Sequence, residues 1–252
     1  MIYNNFDISI SKWYIQINMR CLNKNHLKLI ALISMTIDHI GLILFPNILI
    51  LRILGRLAFP IFAFCIADGL KHTRNVKKYI LLLFIFALIS QIPYHFIFAP
   101  KINLNILFTF LISIAFIFCI NKIKNSDNIS DKILPTILII LISGFCLIDL
   151  YLEMIDYSIF GILLVLIFYY FDYNKIPFYI LSGTLIILAT LYYYIISNFY
   201  IKNHIFIYAI LALPIIYLYN NEKGKINLKY LFYIFYPLHL TLIFLIKLIC
   251  FQ

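Results

Sequence analysis

Long apolar runs, nearly free of charge and separated by short polar stretches, most limit what this chain can become. Of its 252 residues, 64% are hydrophobic and 12% charged. A water-soluble fold has too little interior to hide that much apolar surface. Lipid is the remaining solvent, and there every backbone N–H and C=O must find a partner locally, which favours helices. A barrel needs short alternating segments, whereas these runs are unbroken blocks of Ile, Leu and Phe. The fold class is therefore all-α, a polytopic membrane helix bundle.

A span needs about 20 apolar residues. Nine segments qualify as candidates: Leu27–Pro46, Ile48–Gly69, Tyr79–Phe98, Asn105–Ile120, Ile133–Ile148, Tyr157–Phe171, Ile176–Ser197, His204–Tyr219 and Tyr230–Phe251, the fourth to sixth being short. Residues 1–26 read as a cytoplasmic N-terminal segment and residues 27–252 as a single transmembrane domain. Met1–His26 lacks the tripartite pattern of a cleaved leader, so the first span is expected to be retained. Cys21, Cys65, Cys119, Cys146 and Cys250 form no CxxC pair and lie mostly in apolar runs, so they read as small apolar residues rather than metal ligands.

The formal net charge of +10 could suggest nucleic acid, but its distribution argues for topology instead. Fifteen Lys and Arg residues fall on one set of alternate connections, from Lys12, Arg20, Lys24 and Lys28 to Lys223, Lys225 and Lys229. The other set holds Lys101, Lys202 and Lys247, together with an acidic stretch at Asp149, Glu153 and Asp156. Cytoplasmic connections carry the basic excess, so the N-terminus is expected inside and the C-terminus outside a multi-pass cell-membrane protein. No nucleic-acid partner is expected.

Ionisable groups inside a bilayer cost about 2.5–3.5 kcal/mol each on insertion scales and usually face a partner or a wet cavity. Asp38 and His39 lie ten and eleven residues past Lys28, and His239 lies ten past Lys229. At 1.5 Å per residue all three sit roughly 15–17 Å deep, while Arg56 enters from the other side to roughly 12 Å. One reading is a structural ion pair between Asp38 and Arg56, with the histidines cross-linking helices. The other is chemical: a neutral imidazole is a general base near pH 7, and neighbouring cations stabilise a developing anion. Because adjacent helical residues point about 100° apart, Asp38 need not orient His39 and is free to neutralise Arg52 or Arg56. Arg52 and Arg56 share a helix face four residues apart. Pro60 frees the carbonyl of Arg56, and a kink there suits an anion site; equally, Arg52 alone could reach for the headgroups.

Past the second span, Asp68-Gly-Leu-Lys71-His72-Thr73-Arg74-Asn-Val-Lys77-Lys78 is basic. Lys77 and Lys78 suit anionic headgroups, and Arg74 with His72 and Thr73 suits cofactor phosphates. Tyr233 and Tyr236 bring hydroxyls close to Pro237-Leu-His239.

These residues, in order, resemble the TraX family, a group within the transmembrane acyltransferases. The blocks that carry the resemblance run from Lys28 almost to the C-terminus. They include Lys28-Leu-Ile-Ala-Leu-Ile-Ser-Met35-Thr-Ile-Asp38-His39, Arg52-Ile-Leu-Gly-Arg56-Leu-Ala-Phe-Pro60, Gly69-Leu-Lys-His72-Thr-Arg74-Asn75 and Ser90-Gln91-Ile-Pro93-Tyr. Further along stand Asn105-Ile-Leu-Phe-Thr109, Asp156-Tyr157-Ser-Ile-Phe-Gly161 and Phe232-Tyr-Ile-Phe-Tyr236-Pro-Leu-His239. Gln91 and His95 depart from the family, which often has an acidic residue at the first and an acidic or small polar one at the second. TraX is associated with N-terminal acetylation of conjugative pilin. In acyltransferase family 3 a basic residue stands eleven positions before an essential first-helix histidine, a spacing that Lys28 and His39 match.

The resemblance implies transfer of an acyl group, acetyl first, from cytosolic acyl-CoA to an amine or hydroxyl at the outer face. Acetyl-CoA would be the donor; the partners expected are acyl-CoA, membrane lipid and an extracytoplasmic acceptor such as a pilin-like N-terminus, a peptide or a surface glycan. His39, Asp38 and Arg56 are the expected catalytic residues. Lys28, Arg52, Arg74, Tyr236 and His239 are expected to bind substrate or acyl-CoA, and no metal is expected. Two other classes fit the same midplane charges: a proton-coupled small-molecule transporter and a non-catalytic assembly subunit.

Overall fold

The computed structural model describes residues 20–98, 103–196, 201–226 and 229–250, without the side chains of 201–204 and 229. Lys12 and Lys101 of the charge pattern lie outside the described residues, and so does the side chain of Lys202. Within them the fold is all-helical, with two isolated bridges, Leu22 to Tyr219 and Leu104 to Ile155, and no strand. The helices are α1 (Lys24–Ile43), α2 (Leu49–Gly55), α3 (Ala58–His72), α4 (Val76–Phe98), α5 (Ile106–Asn125), α6 (Ile129–Leu152), α7 (Ser158–Tyr170), α8 (Ile176–Ile196), a 3-10 helix (Ile201–Leu211), α9 (Ala212–Tyr217) and α10 (Lys229–Cys250). With α2 and α3 taken as one unit, seven helical segments are long and apolar enough to cross a membrane, and Ser158–Tyr170 and Ile205–Tyr217 are shorter. This is the pattern of a multi-pass membrane protein.

Helix α1 starts at Lys24, three residues before the expected span. Asn23 caps it, its side chain accepting from the backbone N–H groups of Asn25 and His26 while His26 answers the backbone N–H of Asn23. The helix also ends early, at Ile43 rather than Pro46, which leaves Asp38 and His39 five and four residues from that end. That is roughly 6–8 Å from the far end at 1.5 Å per residue, rather than mid-helix.

The second span is broken, not merely kinked. Helix α2 stops at Gly55, Arg56 and Leu57 form a turn, and α3 starts at Ala58. Pro60 stands in the first turn of α3, where a missing N–H costs little. The break lets α2 lie directly on α1. Ser34 Oγ donates to the carbonyls of Leu54 and Gly55, and a Cβ on Gly55 would fall 2.3 Å from Asp38 Cβ.

Around this pair, α1 also packs on α3 and α10, α10 on α4, α3 on α7, α5 on α6 and α7, and α8 on α7 and the 3-10 helix. One apolar cluster fills the middle of α3, α5, α7, α8 and α9, with Phe64 meeting Phe168, Tyr173, Phe178 and Tyr219 edge to face. A second, smaller cluster joins α1, α4 and α10 through Leu32, Met35, Tyr94, Ile97, Tyr236 and Leu240.

Direct contacts fix which helix ends meet. Lys24 pairs with Asp68 at 2.5 Å, Lys71 donates to the Phe168 carbonyl, and Lys124 lies over Tyr170. The start of α1 and the ends of α3, α5 and α7 therefore share one end of the bundle, called here the basic end. At the opposite end, Arg52 meets Asp38, the backbone N–H of Leu104 donates to the Met154 carbonyl, and Tyr192 donates to that of Leu150.

Gly55→Ala is expected to destabilise the protein by about 1–3 kcal/mol, because the added methyl meets Asp38 backbone and side chain together. Gly144→Ala, with nothing within 4 Å of its new methyl, is expected to be neutral or to gain roughly 0.5–1 kcal/mol of helix propensity. Thermal unfolding in detergent checks both; equal effects at the two glycines would contradict the close approach of α1 and α2.

Candidate active site between two opposed cavities

Asp38 is the junction of the polar layer. Arg56 Nη2 reaches both its carboxylate oxygens, at 2.9 and 2.8 Å, and Arg52 Nη1 reaches Oδ2 at 2.9 Å and the Asp38 carbonyl at 3.2 Å. Two guanidinium groups share one carboxylate, so the trio carries a surplus positive charge. Arg52 therefore turns inward to Asp38 and does not reach for headgroups. Arg56 Nε is buried and has no hydrogen-bond partner among the described residues, which leaves a donor unspent.

Asp38 turns to the arginines and the partner of His39 lies elsewhere. His39 Nδ1 lies 2.8 Å from His239 Nε2, and His239 Nδ1 lies 2.9 Å from the Phe235 carbonyl. A carbonyl only accepts, so Nδ1 of His239 carries its proton and neutral His239 has its lone pair on Nε2. His39 then donates from Nδ1 and holds its own lone pair on Nε2. Helix α10 fixes this chain because Phe235 lies one turn before His239 on the same helix, with its carbonyl within reach of the ring.

A cavity of about 470 Å³ at the end opposite the basic one is lined by Asp38, His39, Arg52 and Arg56, by Asp149, Glu153 and Asp156, and by Tyr94, Tyr157, Tyr192 and Tyr193. Four carboxylates face two arginines in it. The acidic stretch at 149–156 was visible in the sequence; its convergence on Asp38 was not. Gln91 organises that wall: it donates to the Asn103 carbonyl and accepts from the backbone and side chain of Asn105, which in turn caps α5. The chain beside it pairs with the α6–α7 connection, where the Asp156 N–H donates to the Leu104 carbonyl and Thr109 donates to that of Asp156. Tyr157, held in a left-handed conformation (φ 61°), stacks on Phe59 at 3.8 Å between centroids. Burial pushes the carboxyl of Asp156 up to about 7, against the pull of Arg56.

A second cavity, of about 500 Å³, starts at the basic end with Lys24, Lys28, His72, Lys223 and Lys225 and continues past Cys65 and Tyr79 to Met35, Phe62, Leu107 and Tyr236. Lys28 and Tyr236 thus stand in this cavity. Arg74 is exposed and lines neither cavity, and the basic positions that do, Lys24, Lys223 and Lys225, were legible only as topology signals. Met35 and His39 are one turn apart on α1, and the rings of Tyr236 and His239 are 5.6 Å apart on α10. Helix α1 thus lines both cavities, Met35 the basic one and His39 the acidic one, whereas α10 lines the basic cavity and reaches His39 through His239. Among the described residues no group of His, Cys, Asp or Glu is arranged to hold a metal.

The family model described as TraX protein matches residues 23–247. The probable fimbrial assembly protein FimC of Dichelobacter nodosus is 27% identical over 238 residues, 86% of this chain and 92% of that protein. An uncharacterized protein of Rickettsia prowazekii is 38% identical over 92 residues, a match that takes in 36% of this chain and 35% of that protein's length. No solved structure matches the chain significantly.

A carboxyl whose folded pKa is raised stabilises the fold below its unfolded value, about 3.9, and loses that contribution as pH climbs to about 7. Asp156→Asn lacks this titration. Its stability relative to the native protein is expected to improve steadily from pH 4 to pH 7 in thermal unfolding; a constant offset across that range would contradict the burial of Asp156.

Proposed function

The chain belongs to the TraX family, and from that premise we propose that it is a membrane-embedded acyltransferase of the transmembrane acyltransferase class. It takes an acyl group, acetyl first, from acyl-CoA at a cytoplasmic basic end and delivers it to an amine or hydroxyl at the outer face. The observation that carries this reading is the pair of cavities, one basic and one acidic, divided by an apolar partition, with His39 and the Asp38–Arg52–Arg56 trio lining the acidic one and His239 bound to His39. In this reading nine segments cross the bilayer, the two short ones included, with the N-terminus inside.

Lys24, Lys28, Lys223 and Lys225 neutralise the phosphates of the donor, and the apolar walls beyond Cys65 take its arm. From Lys24 to Met35 is roughly 16 Å along the helix, so the arm crosses most of the apolar layer before the thioester meets His39. The lone pair on His39 Nε2 removes the acceptor's proton as the acceptor nitrogen or oxygen attacks the thioester carbonyl. His239, accepting from His39 Nδ1, steadies the imidazolium. Arg56, with its unspent Nε–H, and Arg52 stabilise the oxyanion, where low polarity makes each donor count for more than in water. The C–S bond then breaks, and His39 returns the proton to the departing thiolate. If His39 instead carries the acyl group, kinetics become ping-pong rather than ternary-complex. A fimbrial subunit is one acceptor that the name of the Dichelobacter nodosus relative brings into range.

Purified protein in liposomes, given labelled acetyl-CoA and a panel of peptide and sugar acceptors, tests this. His39→Ala is expected to lower kcat by about 10²–10⁴-fold, and Lys28→Ala to raise KM for acetyl-CoA with kcat nearly intact. Undiminished transfer in His39→Ala would remove it from the mechanism. Movement of a solute across the bilayer with no acyl transfer would favour a transporter instead.

A further inference from the structure

The cavity that begins at the basic end changes character along its length. Its mouth is cationic. Its lining residues farthest from that end are Met35 on α1, Phe62 on α3, Ile106 and Leu107 on α5, and Tyr236 on α10. All five belong to the smaller apolar cluster, which also includes Tyr94 and Phe98 from the wall of the opposite cavity. The floor of one cavity is thus the apolar partition between the two. Met35 and Tyr236 are nearly buried within it, at 7% and 5% exposure.

The partition's residues differ in how far they can yield. Tyr236 is nearly buried, with its ring 5.6 Å from that of His239. Phe62 is planar and Ile106 β-branched, so neither adapts its shape easily. Met35 is unbranched, with three rotatable bonds and a polarizable sulfur, the side chain most able to fill irregular space. It also sits one turn before His39, in the floor that the leading, acyl end of a donor entering from the basic end meets first.

We infer that Met35 sets the acyl-chain length this protein accepts, walling off the space beyond an acetyl group. This rests on the acyl-transfer reading above. The chemistry is unchanged by chain length: the thioester C–S bond breaks, the acyl C–N or C–O bond forms, the acceptor's proton goes to His39 and CoA leaves as the thiol. Only the room for the methylenes changes. An extra methylene that a fitted wall rejects is worth roughly 10-fold or more in kcat/KM.

The test compares acetyl-, propionyl-, butyryl- and hexanoyl-CoA as donors for native protein, Met35→Val, Met35→Ala and the volume-conserving Met35→Leu. Native protein and Met35→Leu are expected to fall by roughly 10-fold or more for each step beyond acetyl. In Met35→Val and then Met35→Ala the longest accepted chain is expected to lengthen in that order, read as each donor's kcat/KM relative to acetyl-CoA in the same variant. Met35→Val keeps the series readable if the alanine variant does not fold. Unchanged donor ratios in the folded variants would overturn the assignment of Met35 and leave acyl transfer standing. Failure of the native protein to use any of the four thioesters would overturn both.

Discussion

Everything in this bundle hinges on one carboxylate in an apolar layer. Asp38, Arg52 and Arg56 would each be costly to bury unpaired among lipid and packed side chains; together they satisfy one another at 2.8–2.9 Å. That requirement dictates the backbone. The second span must bring two arginines to the side of α1, which needs a glycine at position 55, where a methyl would strike Asp38, and a turn at Arg56–Leu57 that ends α2. Ser34 holds the two carbonyls beside the break. The broken helix, the short approach and the pairing of two arginines with one carboxylate are thus one feature.

The histidine pair follows a different logic. Nothing charged holds His39; a neutral chain from the Phe235 carbonyl through His239 does. Such a chain sets which nitrogen keeps its lone pair without placing another charge in the layer. Because α1 lines both cavities and α10 joins it through Tyr236 and His239, the same two helices form the partition and carry the groups that would act across it. A protein that moved a whole solute would have to open that partition, whereas acyl transfer needs only two substrates to meet at it.

Much of this was legible in the sequence. Apolar runs located the helical segments because lipid leaves the backbone no alternative, and the intramembrane charges marked the layer because burying them without purpose is costly. His39, Asp38, Arg52, Arg56 and His239 do converge. Three things stayed hidden. The break between α2 and α3 looked like a proline kink, since the cause, Gly55 against Asp38, lies in another helix. Arg74 looked as good a phosphate ligand as Lys24, Lys223 or Lys225, because local sequence does not tell which side chains of a basic end turn into a cavity. The acidic wall at Asp149, Glu153 and Asp156 depends on Gln91 gripping Asn105, a long-range pairing with no periodic signature.

Acyl transfer across this bundle requires that the two cavities open to opposite faces of the bilayer and stop at a shared partition beside His39. In a background lacking the native cysteines, Lys28→Cys and Leu42→Cys place one thiol in each cavity on the same helix. A membrane-impermeant maleimide is expected to label Lys28→Cys only from the cytoplasmic side and Leu42→Cys only from the other. Labelling of both from the same side, or of Lys28→Cys from the outside, would contradict it.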